Sequence, residues 1–295
     1  MGYNCTLCPR NCGVDRTLKN GYCSVPGDIY ASRAALHFWE EPCISGDEGS
    51  GTVFFTGCTL KCVYCQNKDI ALENFGKKIS VERLAEIFIE LQHKKANNIN
   101  LVTPTHYALQ IADAVRLARQ NGLCIPVVYN TSGYEKEETL LMLKDTVDIF
   151  MPDFKYWLSD TAKKYSNAPD YPDVAKKATD IMVKLQPELV YDERGMLTKG
   201  VIIRHLLLPG HVYEAKRIAE YIYKTYGDNV IISLMSQYTP TGCMEDYPEL
   251  CRKVRKKEYQ SLIDYVIDLG AQNVYTQEGD SADESFIPPF TLEGI

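Results

Sequence analysis

The sequence predicts an α/β fold: a partial (β/α)6 barrel with a small N-terminal metal-stapled module and a C-terminal extension. From residue 51 onward, short apolar runs alternate with amphipathic segments, and strands that alternate with helices pair in parallel. Residues 1–50 are instead rich in Cys, Gly, Pro and Arg. The 295 residues, 45% of them hydrophobic, suffice for one large core. A doubly wound open sheet has the same linear pattern, so periodicity leaves both architectures open.

Apolar runs bounded by turn residues predict the barrel strands. In chain order they are residues 51–57, 99–102, 125–129, 147–151, 201–208 and 230–235. Amphipathic segments predict the helices between them. These segments are residues 81–91 after the N-cap Ser80, 106–120, 136–144, 173–185, and 215–222 before Gly227. Residues 191–200 are predicted as a turn-containing insertion. A last helix and a short strand, residues 273–277, belong to a 241–295 extension that we expect to cover the 51–240 barrel.

Charge and hydropathy exclude several classes of protein. The formal net charge is −7, from 32 basic and 39 acidic residues, which is not the electrostatic footprint of a protein that binds a nucleic-acid polymer. The sequence has no apolar run long enough to cross a bilayer and no signal-peptide pattern. We therefore predict a cytoplasmic protein without a membrane segment. Because that compartment is reducing, the 11 cysteines are expected to bind metal rather than form disulfides.

The loop after the first predicted strand carries the main functional signal. Residues 57–67 read GCTLKCVYCQN, so Cys58, Cys62 and Cys65 follow a C-x3-C-x2-C pattern. Thiolates are the usual ligands of a [4Fe-4S] cluster, and three of them leave one iron open. We predict that this iron chelates S-adenosylmethionine, whose reductive cleavage gives a 5'-deoxyadenosyl radical. The position agrees, because α/β barrels place active sites at the carboxyl ends of their strands.

Three plainer interpretations of these cysteines stay open. In the first, the cysteines are buried core residues. In the second, they are part of a zinc site. In the third, they bind a four-cysteine electron-transfer cluster whose fourth ligand comes from elsewhere in the chain. Tyr64, just before the third cysteine, is expected to shield the cluster.

At these residues the chain resembles the radical S-adenosylmethionine superfamily, and within it the relatives of pyruvate formate-lyase activating enzyme. The resemblance runs over roughly residues 51–240 and includes the later segments TSGY, MPDFK and IIRHLLLPG. It implies cofactor contacts at successive strand ends. The predicted S-adenosylmethionine contacts are Asn67, Thr103, His106, Asn130, Thr131, Asp153, Lys155 and Arg204. The plainer alternatives are structural ion pairs for the charged residues and an ordinary hydrogen bond for His106.

Two segments depart from the family pattern. Where the family has Gly-Gly-Glu after its second strand, residues 103–106 read TPTH. Where it has Pro-Tyr-His late in the chain, residues 236–238 read SQY. The resemblance therefore implies that the methionine end of the cofactor meets different donors, and it argues against activation of a protein substrate.

A second cysteine group lies near the N-terminus. Cys5, Cys8, Cys12 and Cys23 form C-x2-C-x3-C-x10-C in a Gly- and Pro-containing segment. Four thiolates close a tetrahedral zinc site, and they also hold an auxiliary [4Fe-4S] cluster. Both readings stay open, as does that of cysteines without a metal. Cys43 is expected to be a spare ligand or a lid residue.

The predicted reaction is hydrogen abstraction from a small polar substrate, for example a nucleoside in a queuosine-type lyase. The alternatives are an oxidoreductase that activates a partner protein by forming a glycyl radical, and a non-catalytic iron–sulfur electron carrier. A flavodoxin or ferredoxin is the expected reductant. A small substrate is favoured because about 50 residues before the first strand and about 55 after the sixth would close the barrel mouth. The candidate substrate contacts are His37, Glu40, Glu41, Tyr275, Gln277 and Glu278.

Overall fold

A computed structural model describes residues 4–240, 245–277 and 288–295 of the chain. The strands in these ranges are β1 (Ile29–His37), β2 (Ser50–Phe55), β3 (Lys77–Ile79), β4 (Ile99–Val102), β5 (Val127–Thr131), β6 (Ile149–Pro152), β7 (Val190–Tyr191), β8 (Leu197–Leu206), β9 (Ile231–Met235) and β10 (Val274–Thr276). The α-helices are α1 (Pro42–Ser45), α2 (Lys68–Ala71), α3 (Val81–His93), α4 (Ala108–Gln120), α5 (Glu137–Met142), α6 (Ser159–Ser166), α7 (Tyr171–Leu185), α8 (Val212–Tyr226) and α9 (Lys256–Asp268). None of these helices is long and apolar enough to span a membrane.

The strands form one mostly parallel sheet. Its parallel part runs in the order β2-β4-β5-β6-β8-β9-β10. On the other side of β2, β1 pairs antiparallel with β2, and β3 pairs antiparallel with β1. The predicted α/β class is confirmed, and all six predicted barrel strands are present. The short predicted strand near residue 275 is β10, which extends the parallel sheet by one strand.

Several elements differ from the sequence expectation, and the short elements β3, α1 and α2 were not predicted either. β1 lies within the segment expected to have little periodicity, because its Ala-rich sequence is stabilised by pairing with strands on both sides. β8 begins at Leu197, inside the predicted 191–200 insertion, where β7 pairs with it as a hairpin. The eight-residue helix α6 was not predicted, since so short a segment carries little periodic signal.

The inner face of the sheet is apolar near the amino ends of the strands. Alternate residues of a strand point to the same face. Near the amino ends, the inner face carries an apolar cluster that includes Val128, Ile149 and Ile202. Cys43 and Ile44 of α1 pack into this cluster and are 4% and 0% exposed. The segment between β1 and β2 therefore fills the floor of the barrel, and Cys43 is a core residue rather than a spare ligand or a lid.

The end of the chain returns to the antiparallel edge of the sheet. Leu292 N donates to the Ser32 carbonyl at 3.0 Å, and Ala34 N donates to the Glu293 carbonyl at 2.8 Å. Upstream of these contacts, the Phe290 ring meets the Phe54 ring of β2 edge to face, with centroids 5.4 Å apart. Residues 288–295 thus lie against β1 and against the carboxyl end of β2, where the next loop begins.

Candidate active site

The cysteine loop, residues 57–67, follows β2 at the carboxyl edge of the parallel strands. It leaves the strand through Gly57, whose φ of +88° is in the left-handed region. A Cβ at Gly57 would lie 2.6 Å from the carbonyl oxygen of Cys23. Glycine is therefore required by both conformation and space at the residue before Cys58. Cys58 N then donates to that same carbonyl at 3.2 Å.

The three thiols of this loop lie in surroundings that fit cluster ligation. Leu60 N donates to Cys58 Sγ at 3.4 Å, and Ser166 Oγ donates to Cys62 Sγ at 3.1 Å. Burial raises the pKa of Cys58, and it raises the pKa of Cys65 to about 12. A positive ion or cluster beside these two thiols would favour their ionised form, which burial disfavours. Across the described ranges, no three His, Cys, Asp or Glu side chains surround a position for a single metal ion.

Aromatic side chains pack behind the loop. The Tyr64 ring meets the rings of Tyr156, Tyr165 and Tyr238 edge to face, at centroid distances of 6.4, 6.1 and 6.2 Å. Tyr64 is 5% exposed. These rings form a low-dielectric layer beside Cys62 and Cys65, the surroundings that the predicted shielding role needs.

A buried charge network occupies the strand ends opposite the loop. Asp153, after β6, accepts from Arg204 Nε at 3.0 Å and from Lys155 Nζ at 2.7 Å. Burial raises the pKa of Asp153, but Lys155 and Arg204 outweigh burial and leave that pKa below its ordinary value. Arg204 also donates to Asn130 Oδ1 at 2.6 Å and to Glu40 Oε2 at 3.1 Å. The network thus brings together four of the predicted S-adenosylmethionine contacts, Asn130, Asp153, Lys155 and Arg204. Glu40 joins them from outside the barrel strands.

Two adjoining cavities meet at this network. One has a volume of about 230 Å³, and the other about 190 Å³. The first is lined by Cys62, Cys65, Gln66, Asn67, Asn130, Asp153, Lys155 and His37, among other residues. The second is lined by Glu41, Ser233, Tyr275, Thr276 and Gln277, among others. Both share the Arg204–Glu40 pair, so this ion pair forms part of the wall between them.

The candidate substrate contacts divide between these cavities. His37 lines the first cavity, Glu41, Tyr275 and Gln277 line the second, and Glu40 lines both. Burial lowers the pKa of His37 to about 4, so its imidazole is neutral at pH 7. Burial raises the pKa of Glu40 and Glu41 despite the nearby Arg204.

Glu278, the remaining candidate substrate contact, lies outside the described residues.

Two predicted contacts point elsewhere. The Thr131 hydroxyl donates to Glu135, because Thr131 follows Asn130 on a strand and faces the opposite side. The His106 ring bonds through Nε2 to the Thr56 carbonyl at 2.8 Å, and His106 is 2% exposed. In the part of the chain that the structure describes, neither Thr131 nor His106 lines either of the two cavities. Contacts of S-adenosylmethionine with these two side chains are therefore not supported, and His106 makes the ordinary structural hydrogen bond.

Thr103 and its neighbours take a strained path at the end of β4. Thr103 has a φ of +59°, an unusual value for a β-branched residue. Its N–H donates to the Asn130 carbonyl at 3.0 Å, which ties this turn to the next strand end. Strain of this kind collects at functional sites. Thr103 is not one of the described residues that line the two cavities.

Sequence reasoning missed two glutamines as site residues. Gln66 Nε2 donates to the Gln237 carbonyl at 3.1 Å, and the Gln237 side chain accepts from Gln277 at 2.9 Å. Gln66 and Gln237 both line the first cavity. The position of Gln66 directly after Cys65 was a usable signal. Gln237 lies in the SQY segment that replaces the family's Pro-Tyr-His. The sequence indicated the loss of the family motif, but not that Gln237 itself lines the site.

The N-terminal cysteines lie beside the cysteine loop. Cys8 and Cys23 are 8% and 6% exposed, and Cys5 and Cys12 are half-buried. All four sulfurs are unbridged in the structure.

Comparisons with known proteins agree with this site. The family model of the Radical SAM superfamily matches residues 52–222. A curated protein of Methanocaldococcus jannaschii, "Uncharacterized protein MJ0674", is 31% identical over 282 residues, which cover 90% of this chain and 76% of that protein.

Solved structures are similar at the level of fold. Streptococcus suis SuiB bound to precursor peptide SuiA matches with a TM-score of 0.51 and 14% identity, over 75% of this chain and 46% of SuiB. The chain thus spans less than half the length of SuiB. A domain of pyruvate-formate lyase-activating enzyme from Bacteroides vulgatus is 15% identical over 58% of this chain and 92% of that domain, with a TM-score of only 0.41.

The match of the family model includes the cysteine loop and the strand ends that carry Asn130, Asp153 and Arg204. The thiols and the polar cavity beside them fit the cofactors of this family, a [4Fe-4S] cluster and S-adenosylmethionine. The chain belongs to the radical S-adenosylmethionine superfamily.

Proposed function

We propose that this protein cleaves S-adenosylmethionine reductively at a [4Fe-4S] cluster held by Cys58, Cys62 and Cys65, and abstracts hydrogen from a small polar substrate. When bound, the cluster and cofactor supply the 5'-deoxyadenosyl radical. The protein supplies a shielded, polar cavity in which the thiols and the ion pairs of Asp153 are already arranged. A flavodoxin or ferredoxin is the proposed reductant, and the radical chemistry is of a lyase type.

The residues around the cavity have distinct proposed tasks. Asn67 and Asn130 present amide groups to the cavity and serve the cofactor's polar ends. Asp153 holds both Lys155 and Arg204 in place at the strand ends through charge-assisted contacts. Gln66 and Gln237 offer further donors and acceptors to a substrate beside the cofactor.

The main support for a small substrate is that segments from both the N-terminal and the C-terminal parts of the chain occupy space in the barrel. Cys43 and Ile44 occupy the floor, and Glu40 enters the interior and bonds to Arg204. Pro288 of the C-terminal segment lines the first cavity. The interior that remains has hydrogen-bonding side chains on several sides, which suits a compact polar molecule such as a nucleoside.

The alternative is a polypeptide substrate, including a partner that receives a glycyl radical. The structure of SuiB with its precursor peptide favours this alternative only in that a protein of this fold binds a peptide. Against it stand the TPTH and SQY segments, which replace two family motifs. An electron carrier without catalysis would have no use for a polar cavity that adjoins Cys62 and Cys65.

Deuterium transfer tests the proposal. Anaerobic, cluster-reconstituted protein is incubated with a strong reductant, S-adenosylmethionine and deuterated small metabolites, nucleosides included. Deuterium in 5'-deoxyadenosine is expected with a small substrate, and Cys62→Ala should abolish it whereas Cys124→Ala should not. A stable glycyl radical on a co-expressed partner, with no transfer from any metabolite, would contradict the proposal.

A further inference from the structure

We infer that Cys5, Cys8, Cys12 and Cys23 bind a second metal centre, a zinc ion or an iron–sulfur cluster, and that this centre fastens the N-terminal segment to the cysteine loop. We call residues 4–28 the cysteine module. The inference concerns metal binding and loop order, so it stands apart from the reaction proposed above.

The four thiols of the cysteine module converge. The Cys12 and Cys23 sulfurs border the same small volume, at 3.6 and 3.3 Å from the point where a Cβ on Gly21 would lie. Burial raises the pKa of Cys8 and of Cys23, and neighbouring thiols of the group raise it further: Cys5 and Cys23 act on Cys8, and Cys5 and Cys12 act on Cys23.

A tight turn inside a longer backbone loop produces this convergence in the first half of the cysteine module. Asn11 N donates to the Cys8 carbonyl and Gly13 N to the Cys5 carbonyl, both at 3.1 Å. Asn11 and Gly13, on either side of Cys12, have φ values of +42° and +63°. The backbone is thus bent around the sulfurs rather than around apolar side chains.

The cysteine module has no apolar core of its own. Apart from a single bridge between Asn4 and Asp15, residues 4–28 form neither strand nor helix. The buried residues in it are Cys8, Arg16, Cys23 and Val25. The segment draws part of its order from the sheet, because Cys23 and Val25 join a core cluster with Val53 and Phe55, and a segment this small is usually also held by a disulfide or a metal. Because its cysteines are unbridged, a thiolate-bound metal is the cross-link that fits them.

The two cysteine groups differ in the number of thiolates that they offer. Neither group surrounds a single-ion position in the described structure, although the family of this chain implies a cluster at the cysteine loop. The N-terminal group offers one thiolate more than that loop, and four thiolates complete either a tetrahedral ion or a cubane.

The cysteine module is docked directly on the cysteine loop. The Cys23 carbonyl accepts from Cys58 N at 3.2 Å. Arg10, between two of the module's cysteines, donates from Nε to the Thr59 carbonyl at 2.9 Å and from Nη2 to the Leu60 carbonyl at 3.4 Å. Lys61 also donates to Ser24. A metal that fixes Cys23 therefore fixes the backbone that carries Cys58.

Metal analysis of the full chain tests the binding. A variant with Cys58, Cys62 and Cys65 all replaced by Ala removes the loop cluster and leaves the cysteine module intact. We expect this variant, prepared anaerobically, to keep about one zinc or about four irons per chain. Either metal supports the inference and identifies the centre. A variant that holds no stoichiometric metal overturns it, whether or not S-adenosylmethionine cleavage is found in the unchanged protein.

Amide hydrogen exchange tests the fastening. Replacement of Cys5 and Cys12 by Ser should release the second metal and speed exchange at residues 58–60 at least tenfold, whereas the exposed Cys124→Ser control should change neither. Retention of the metal in the double variant, or its loss with unchanged exchange at residues 58–60, would overturn the corresponding part of the inference. The metal analysis uses the variant of Cys58, Cys62 and Cys65, in which the cysteine module is intact. It therefore still tests metal binding if the variant of Cys5 and Cys12 does not fold.

Discussion

Arg204 on β8 pairs with Glu40, which lies 164 residues earlier in the chain, with Arg204 Nη1 3.1 Å from Glu40 Oε2. The same guanidinium holds Asp153 and Asn130. One cation thus joins the N-terminal segment to three neighbouring strand ends. Removal of Arg204 would leave Glu40 and Asp153 buried without their shared partner.

We therefore expect Arg204→Ala to lower the free energy of unfolding by about 3–5 kcal/mol, the usual cost of leaving buried charge without its partner. Urea denaturation under anaerobic conditions measures this. The matched control is Arg116→Ala, whose exposed ion pair with Asp113 should be worth less than about 1 kcal/mol. Equal losses in the two variants would show that the buried network is not a source of stability.

Asp153→Asn should weaken S-adenosylmethionine binding while the cluster is retained. The change removes the negative charge that holds Lys155 and Arg204 in place, and loss of a charge-assisted hydrogen bond costs about 1.5–3 kcal/mol. We expect the Kd, measured by equilibrium dialysis on reconstituted protein, to rise by about 10-fold or more. Asp113→Asn on the exposed face of α4 is the control, and an unchanged Kd in Asp153→Asn would remove this residue from the binding site.

Cys62→Ala should remove about four irons per chain and abolish formation of 5'-deoxyadenosine. Iron analysis and product chromatography measure the two effects. Cys124→Ala, at an exposed cysteine after α4, should change neither. Full cleavage activity in Cys62→Ala would refute the assignment of the cysteine loop.

Glu135 predicts a pH dependence of stability. Burial raises its pKa from 4.5 to about 7, against hydrogen bonds from Thr105 and Thr131. Between pH 4.5 and 7 the folded state therefore binds more protons than the unfolded state, so stability falls as the pH rises through this window.

Glu135→Gln removes this contribution. The amide oxygen can still accept from the threonines, but it carries no charge at pH 7. We expect the stability of the variant relative to the unchanged protein to rise by about 3 kcal/mol between pH 4.5 and pH 7.5. Urea midpoints at several pH values measure this difference. Parallel pH profiles for the two proteins would show that Glu135 ionises normally.

Much of the site was predictable because parallel strands end at a common edge. The predicted strands placed Asn130 and Asp153 just after two carboxyl ends, whereas Arg204 lay within the predicted strand 201–208 and was indicated by the family resemblance. The cysteine loop followed from its spacing. The separation of Thr131 from this group was also predictable, since adjacent strand residues face opposite sides.

The remainder depended on contacts between distant parts of the chain. The sequence indicated Glu40 as a candidate substrate contact, but nothing in it indicates that α1 packs into the barrel floor, because the residues that receive this segment are on strands at least 50 residues later. The orientation of His106 follows from the left-handed turn at Thr103 and a hydrogen bond to Thr56. A threonine gives no sequence signal for that conformation.

The filled floor of the barrel also constrains how this chain can evolve. Cys43 and Ile44 share one close-packed cluster with Val128, Ile149 and Ile202, and close-packed interiors tolerate volume changes only when neighbours compensate. Substitutions at the two ends of this contact must therefore covary among homologues. An exchange of the first fifty residues between distant relatives would bring a mismatched floor unless the inner-face residues were exchanged with them.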